Sequence, residues 1–372
     1  MRKFSPSSAH IWAAETGCLG FTKIAAEVEK PREKSEAQLR GSACHSLVES
    51  WLGIGRHGER ADVVGSQFNG VVVTADMYDW CMVYYSVARK LAAESVKSGV
   101  ETRLVFSPID PRCSGKVDFW SMSPRGVLTV VEFKTGARSV DPRGNLQLMM
   151  YAAHLLGGSA VEIERVELIV VQPSAYDGDG PVRVWSAEPE TIRAEMDRIT
   201  ARAIAAKSDS VECTTGPHCA RCDYRHVCPA LEAAQGYTLA VVAQASPWAV
   251  TPGGLSAELR VLQEAAELLK ARVTGLEAEA TSRLKGGEYI PGYGLERSSG
   301  RVKWTVPDAQ AIAIASMMGH DIAKPPAAIT PKQAAAAGLN TEVIDGISER
   351  SEGSLKLVRD NLVAAKTIFG VK

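Results

Sequence analysis

From Val100 to Val131 the chain runs through strand-like stretches, ETRLVFSPI, CSGKVDFWSM and GVLTVVEF, separated by turns at Pro108–Pro111 and Ser123-Pro124-Arg125-Gly126. No other feature constrains the fold as much. A helix comes next over Asn145–Leu156, stopped by Gly157-Gly158. Then come the strongly apolar strand VELIVVQP at 166–173, a short strand at 181–186 and a helix at 188–207. That order predicts an α/β core around a mixed β-sheet flanked by helices.

Upstream, residues 6–17, 36–54 and 74–98 read as helices. In the second, Leu39, Ala43, Leu47, Val48 and Trp51 recur at helical steps; in the third, Met77, Trp80, Cys81, Tyr84, Val87, Ala88 and Leu91 share one face. Downstream, Gly236–Gly254 is rich enough in Pro, Gly and Ser to be a linker. Leu255, Leu259, Leu262, Ala266, Leu269, Val273, Leu276 and Ala280 then mark a long helix over 255–284 with a narrow apolar seam. About four heptads is only the threshold for a coiled coil, so the helix is expected to pack on its own domain. EYIPGYGLERSSGRVKWTV reads as a β-hairpin and 307–350 as short Ala-rich helices. The expected division is a core at 1–235, a linker at 236–254 and a mainly helical C-terminal module with a hairpin at 255–372.

A chain of 372 residues has room for such a division. With 45% hydrophobic and 23% charged residues it has the composition of an ordinary globular protein. No apolar run is long enough for a signal peptide or a membrane span, so a cytoplasmic location is expected. The net charge of -1 gives no bulk electrostatic attraction to nucleic acid, which leaves local basic patches as the means of binding it.

Asp118 falls near the end of one strand-like run and Glu132 near the end of the next, and the turn at Ser123–Gly126 would set the two strands side by side. Glu132 and Lys134 are two apart and emerge on the same face of a strand. Glu132 also interrupts the apolar run LTVVEF, where a carboxylate needs a partner or a metal to offset desolvation. Carboxylates converging from neighbouring strands suit magnesium or manganese, the cations that assist phosphodiester hydrolysis, and a nearby lysine can orient the attacking water.

Four segments in order resemble the PD-(D/E)XK nuclease superfamily in its RecB-like exonuclease branch. They are Gly41-Ser-Ala-Cys-His45, Gly115-Lys-Val-Asp118, Glu132-Phe-Lys134-Thr-Gly136 and Gln147-Leu-Met-Met-Tyr151. The resemblance covers about residues 5 to 230 and implies a restriction-endonuclease-like core. It also implies that His45, Asp118 and Glu132 bind Mg2+ or Mn2+, that Lys134 is the catalytic lysine, and that Gln147 and Tyr151 flank the site. Glu49 and Glu101 are further candidates, each expected to form a salt bridge or a supporting hydrogen bond.

Three of the eight cysteines are packed into Cys219-x2-Cys222-x5-Cys228, a spacing typical of metal binding in a reducing compartment. Some RecB-like nucleases are similar in holding a [4Fe–4S] cluster with one cysteine before the core and three after it. The resemblance therefore implies Cys18, Cys219, Cys222 and Cys228 as cluster ligands; a zinc site using Cys213 or His218 is the alternative.

The whole chain also resembles a family of phage and prophage proteins assigned to the same superfamily, on the start SPSSAHIWAAETGC and the segment GYGLERSSGRVKW. This resemblance implies a DNA exonuclease acting on linear duplex or single-stranded DNA in phage recombination or replication, within the host cytoplasm. A phage single-strand annealing protein is then a candidate partner. Arg297, Arg301, Lys303 and Trp304 are candidate nucleic-acid contacts, with an ordinary solvated basic hairpin as the alternative. A catalytically silent, metal-stapled DNA-binding or assembly module is the alternative for the whole chain. Strand polarity, endonuclease activity, RNA against DNA and oligomeric state stay open.

Overall fold

The computed structural model describes residues 3–28, 35–175, 179–242, 252–324, 327–328, 331 and 339–359. Five strands form a mixed sheet in chain order: β1 (Lys97–Val105), β2 (Ser114–Met122), β3 (Val127–Phe133), β4 (Arg165–Val171) and β5 (Val182–Ala187). The pairings β1–β2, β2–β3 and β4–β5 are antiparallel, and β3–β4 is parallel. A parallel pair needs a crossover, which the helix at Leu146–Gly157 supplies.

The sheet separates two cores. On one face the helices α1 (Glu36–Ile54) and α2 (Ala75–Ala93) bury Leu47, Val48 and Tyr84 against Phe119, Val131 and Ile169. On the other, α3 (Leu146–Gly157) and α4 (Pro189–Ala205) pack Leu148, Ile192 and Ile199 against Leu128, Val130 and Leu168. Caps set where these helices begin. Ser35 and Gln38 form a reciprocal capping box, and the Thr74 hydroxyl accepts from the Met77 N–H. The Asn145 side chain accepts from the N–H groups of Gln147 and Leu148.

Several local expectations change. Residues 6–17 are helical only over Pro6–Trp12, a 3-10 turn at Pro6–Ser8 followed by one α-helical turn at Ala9–Trp12, after which the backbone bends so that the Cys18 N–H reaches the Ile11 carbonyl. The helix expected to reach residue 98 stops at Ala93, because Lys97 and Ser98 are drawn into the ladder opposite Met122 and Ser121. Residues Gly236–Val242 continue the helix α5 (Pro229–Val242), and 243–251 lie outside the described residues.

The chain divides into two compact units, Met1–Leu276 and Glu277–Lys372. The long helix α6 (Pro252–Lys285) is present, but its seam is largely uncovered: Leu259, Leu262, Val273 and Leu276 are exposed. What α6 buries instead is Ala271, against Cys219, Cys228 and Leu231. In the second unit, 288–306 does not fold back on itself. It provides one strand, β6 (Tyr293–Trp304), which pairs antiparallel with β7 (Ser348–Arg359), so its partner comes from much later in the chain. Beside this pair, α7 (Asp308–Met317) and α8 (Thr341–Ile347) bury Ala311, Ala315 and Ile344. Among the described residues no helix is long and apolar enough to cross a membrane.

Candidate active site

Strand β3 ends beside the middle of β2, and the carboxylates gather there: Glu132 comes from the strand end and Asp118, expected near a strand end, from mid-strand. Their ladder closes at Phe119↔Val131; beyond it, the Phe133 N–H is taken at 2.7 Å by Asp118 Oδ2 rather than by backbone. Asp118 Oδ1 is left to face His45 of α1, whose Nδ1 lies 3.3 Å away and also 3.6 Å from Glu101 Oε1 on β1. His45, Glu101 and Asp118 offer ligand atoms all within 4.8 Å of one another, the only group of three such residues that close among those described. Burial works against a charge on His45, but the carboxylates of Asp118 and Glu101 outweigh it and hold its pKa up at about 11.

Glu132 points to the other layer. Its Oε1 accepts from Lys134 Nζ at 2.6 Å and from Gln147 Nε2 of α3 at 2.9 Å. Its Oε2 is buried and has no hydrogen-bond partner among the described residues. Burial, then the Asp118 charge, raise the Glu132 pKa, while the Lys134 ammonium opposes them. Burial would neutralise Lys134, but Glu132 more than compensates and its pKa is raised. Gln147 also donates to Tyr151 Oη at 3.3 Å, so Glu132, Lys134, Gln147 and Tyr151 form one hydrogen-bonded set.

Close approach explains two of the glycines. A Cβ on Gly115 would lie 2.7 Å from the Tyr151 ring, and one on Gly41 would lie 2.9 Å from Thr135 Oγ1. Bare backbone at those two points lets α3 approach β2, which carries Asp118, and α1 approach the segment that follows β3, which carries Lys134.

Two residues matter more than their sequence context suggests. Glu101, which local pattern marks only as a supporting group, belongs to the ligand group and is held from behind by Lys116 Nζ at 2.8 Å. Lys116 also reaches Glu49 at 3.4 Å, which gives Glu49 a salt bridge and no place in the group. Tyr84 reads in the sequence only as an apolar-face residue. It stacks on Phe133 at 4.7 Å, and its buried hydroxyl has no partner among the described residues. Burial and the carboxylates of Asp118, Glu101 and Glu132 push its pKa well up.

The cysteines meet elsewhere in the same unit. Cys213 lies near Cys18 and Cys228, and His218 near Cys18 and Cys219, while the Thr214 N–H donates to Cys18 Sγ at 3.4 Å and the Thr214 carbonyl faces His218 Nε2 at 3.0 Å. Burial, then the nearby Cys228, Cys18 and Cys219, raise the Cys222 pKa to about 12. Of the candidate contacts in the second unit, the side chains of Arg301 and Lys303 lie outside the described residues.

A family model described as "Protein of unknown function (DUF2800)" matches residues 2–361. No curated protein matches the chain. A solved structure of a candidate exonuclease from Eubacterium rectale is similar at 13% identity and a TM-score of 0.31, covering 56% of this chain and 83% of that one. A second, of the protein SSO0001, is similar at 13% identity and a TM-score of 0.24, covering 40% and 66% respectively.

Proposed function

The chain belongs to the family described as "Protein of unknown function (DUF2800)", and from the residues of its own site we propose that it is a metal-dependent deoxyribonuclease of the PD-(D/E)XK, RecB-like kind. Its task on this reading is exonucleolytic resection of DNA ends in phage recombination or replication. One observation carries the proposal: His45, Glu101 and Asp118 converge within 4.8 Å near a Glu132–Lys134 ion pair whose carboxylate is buried.

The residues fit a divalent cation. Two carboxylates and an imidazole are ligands that manganese accepts readily and that magnesium accepts through oxygen; Glu132, whose buried Oε2 has no hydrogen-bond partner among the described residues, stands outside the group that closes within 4.8 Å. Bound there, magnesium or manganese would stabilise charge growing on a phosphodiester and acidify a water. The protein supplies the rest. Lys134, kept protonated by Glu132, serves as hydrogen-bond donor and cation rather than as general base. Gln147 fixes the Glu132 carboxylate, and Tyr151 anchors Gln147. The supporting layer keeps the pair aimed at the strand ends.

The test is incubation of labelled linear duplex and single-stranded DNA with Mg2+ or Mn2+, comparing wild type with Asp118→Ala and Lys134→Ala. Loss of degradation by at least about a hundredfold in both variants is expected, since each removes a group acting on the reacting phosphate. Degradation at the wild-type rate by both variants would remove the site assignment. Binding of DNA by wild type without any degradation would favour the silent module.

For the second centre we propose a [4Fe–4S] cluster on Cys18, Cys219, Cys222 and Cys228. Cys18, Cys219 and Cys228 are buried and Cys222 is half-buried, and one cysteine before the core with three after it is the order that the resemblance to cluster-holding nucleases implies. Anaerobically purified protein should absorb near about 400 nm; colourless protein with stoichiometric zinc would assign the site to zinc instead.

A further inference from the structure

Beside Lys134 and Gln147 opens a cleft of about 610 Å³ that gathers cations from separate parts of the chain. His10 comes from the N-terminal turn, Arg138 and Arg143 from the loop after Lys134, and Arg221 from between Cys219 and Cys222. All four are exposed, and the three arginines form no ion pair among the described residues. Three of them influence one another across the cleft: burial and the neighbouring Arg138 lower the Arg221 pKa, and burial, then Arg221, lower that of His10. Asp141 also lines the cleft, but its carboxylate is engaged by the Arg143 N–H at 2.8 Å.

The loop presenting Arg138 and Arg143 is built to hold still. Gln172, 1% exposed, donates to the Gly136 and Arg138 carbonyls at 2.6 and 2.7 Å and accepts from the Val140 N–H at 3.0 Å. Its oxygen also accepts from Arg183 at 2.6 Å, and Arg183 donates in turn to the Val140 carbonyl. One buried amide thus uses all its hydrogen-bonding capacity on this loop and its support. A buried scaffold for exposed, unpaired arginines serves no purpose in the core, and their mutual repulsion is relieved by an anionic ligand.

We infer that this cleft seats the sugar–phosphate backbone of the substrate strand next to the scissile bond, with Arg138, Arg143 and Arg221 as its phosphate contacts. The inference rests on the nuclease reading of the adjoining site. It accounts for how a chain of net charge -1 holds a polyanion. It also gives the cysteine centre a second consequence, because the turn that carries Cys219 and Cys222 also sets Arg221 at the cleft.

The test measures binding of labelled single-stranded and duplex oligonucleotides across a potassium chloride series, in an Asp118→Ala background that blocks cutting. Adding Arg138→Ala, Arg143→Ala and Arg221→Ala together should weaken binding about tenfold or more at ~0.1 M salt, and lower the slope of log K against log salt by about 2. The corresponding triple lysine variant should recover most of the affinity, because lysine still binds phosphate as a point charge. Arg89→Ala with Lys90→Ala, exposed cations on α2, is the control and should change neither quantity. Unchanged affinity and slope in the triple alanine variant overturns the inference and leaves the nuclease reading standing if wild type cuts DNA. Weakened binding in a protein whose wild type never cuts supports the cleft while the nuclease reading fails.

Discussion

Glu101 has a φ of 47° inside a strand, a conformation that a non-glycine residue adopts only when its surroundings impose it. Its neighbours Val100 and Thr102 keep register with Phe119 and Val117, so the strain is confined to the one residue that joins His45 and Asp118. We expect Glu101→Gln to weaken Mn2+ binding more than tenfold by calorimetry, a loss on the order of that seen when groups supporting a metal are removed. Wild-type affinity in that variant would exclude Glu101 as a ligand. His45 supplies a pH dependence whose sign can be worked out. Its pKa is held up at about 11 in the metal-free protein, so near neutral pH it is protonated and must shed that proton to ligate. Metal affinity should therefore rise from about pH 6 to about pH 8, with about one proton released per ion, as read by calorimetry in buffers of different ionisation enthalpy. Affinity that is flat with pH would mean His45 is not a ligand. Asp118, Glu132 and Lys134 were legible as letters because spacing along strands determines which side chains can meet. Glu101 was legible only as a further candidate for a salt bridge or supporting hydrogen bond, and it does pair with Lys116; its place beside His45 and Asp118 was not, because the fold brings that histidine from another layer.

At the scale of elements, α3 is where stability and chemistry share one cause. Asn145 caps it by accepting from the N–H of Gln147, the residue that fixes Glu132. Asn145→Ala should cost about 1 kcal/mol in denaturant unfolding and reduce DNA cleavage as well, since the turn that frays carries Gln147. The approach of α3 to β2 gives a sharper test. Because a Cβ on Gly115 would meet the Tyr151 ring at 2.7 Å, Gly115→Ala should displace Tyr151 and loosen the Gln147–Glu132 contact. Cleavage should fall about tenfold or more, as it does when reacting groups are misplaced, while the metal group of His45, Glu101 and Asp118 keeps its affinity. Equal loss of both would mean the strand itself had moved. Helix and strand identities in the core were readable from hydrophobic period. The ends were not, because Lys97 and Ser98 have no local reason to leave a helix; they leave it for ladder partners far along the chain, at Met122 and Ser121. For the same reason 288–306 looked like a hairpin, although its partner strand begins only at Ser348.

At the scale of the first unit, the N-terminal segment is bound to the far end of the core by arginines of α4. Arg202 donates to the carbonyls of Trp12, Glu15 and Gly17, and Arg198 to that of Ala13, joining the two ends of the core's sequence. These bonds set Cys18 where Cys213 and His218 can share its surroundings. Arg202→Ala leaves three carbonyls short of a donor and should lower stability by about 1–3 kcal/mol. Metal content at the cysteine centre should fall with it, measured as absorbance and metal per chain. Retention of full metal content would show that the sulfurs hold their geometry unaided. The amino-acid sequence by itself determined the mixed α/β core, the motif order and the spacing of Cys219, Cys222 and Cys228, since all of these arise from local periodicity and fixed offsets. Only the tertiary structure decided that Glu101 stands with His45 and Asp118, that Gln172 holds the arginine loop, and that Arg221 shares a cleft with Lys134. Those meetings join residues from separate layers, and they depend on where strands end and helices cross, which no local pattern encodes.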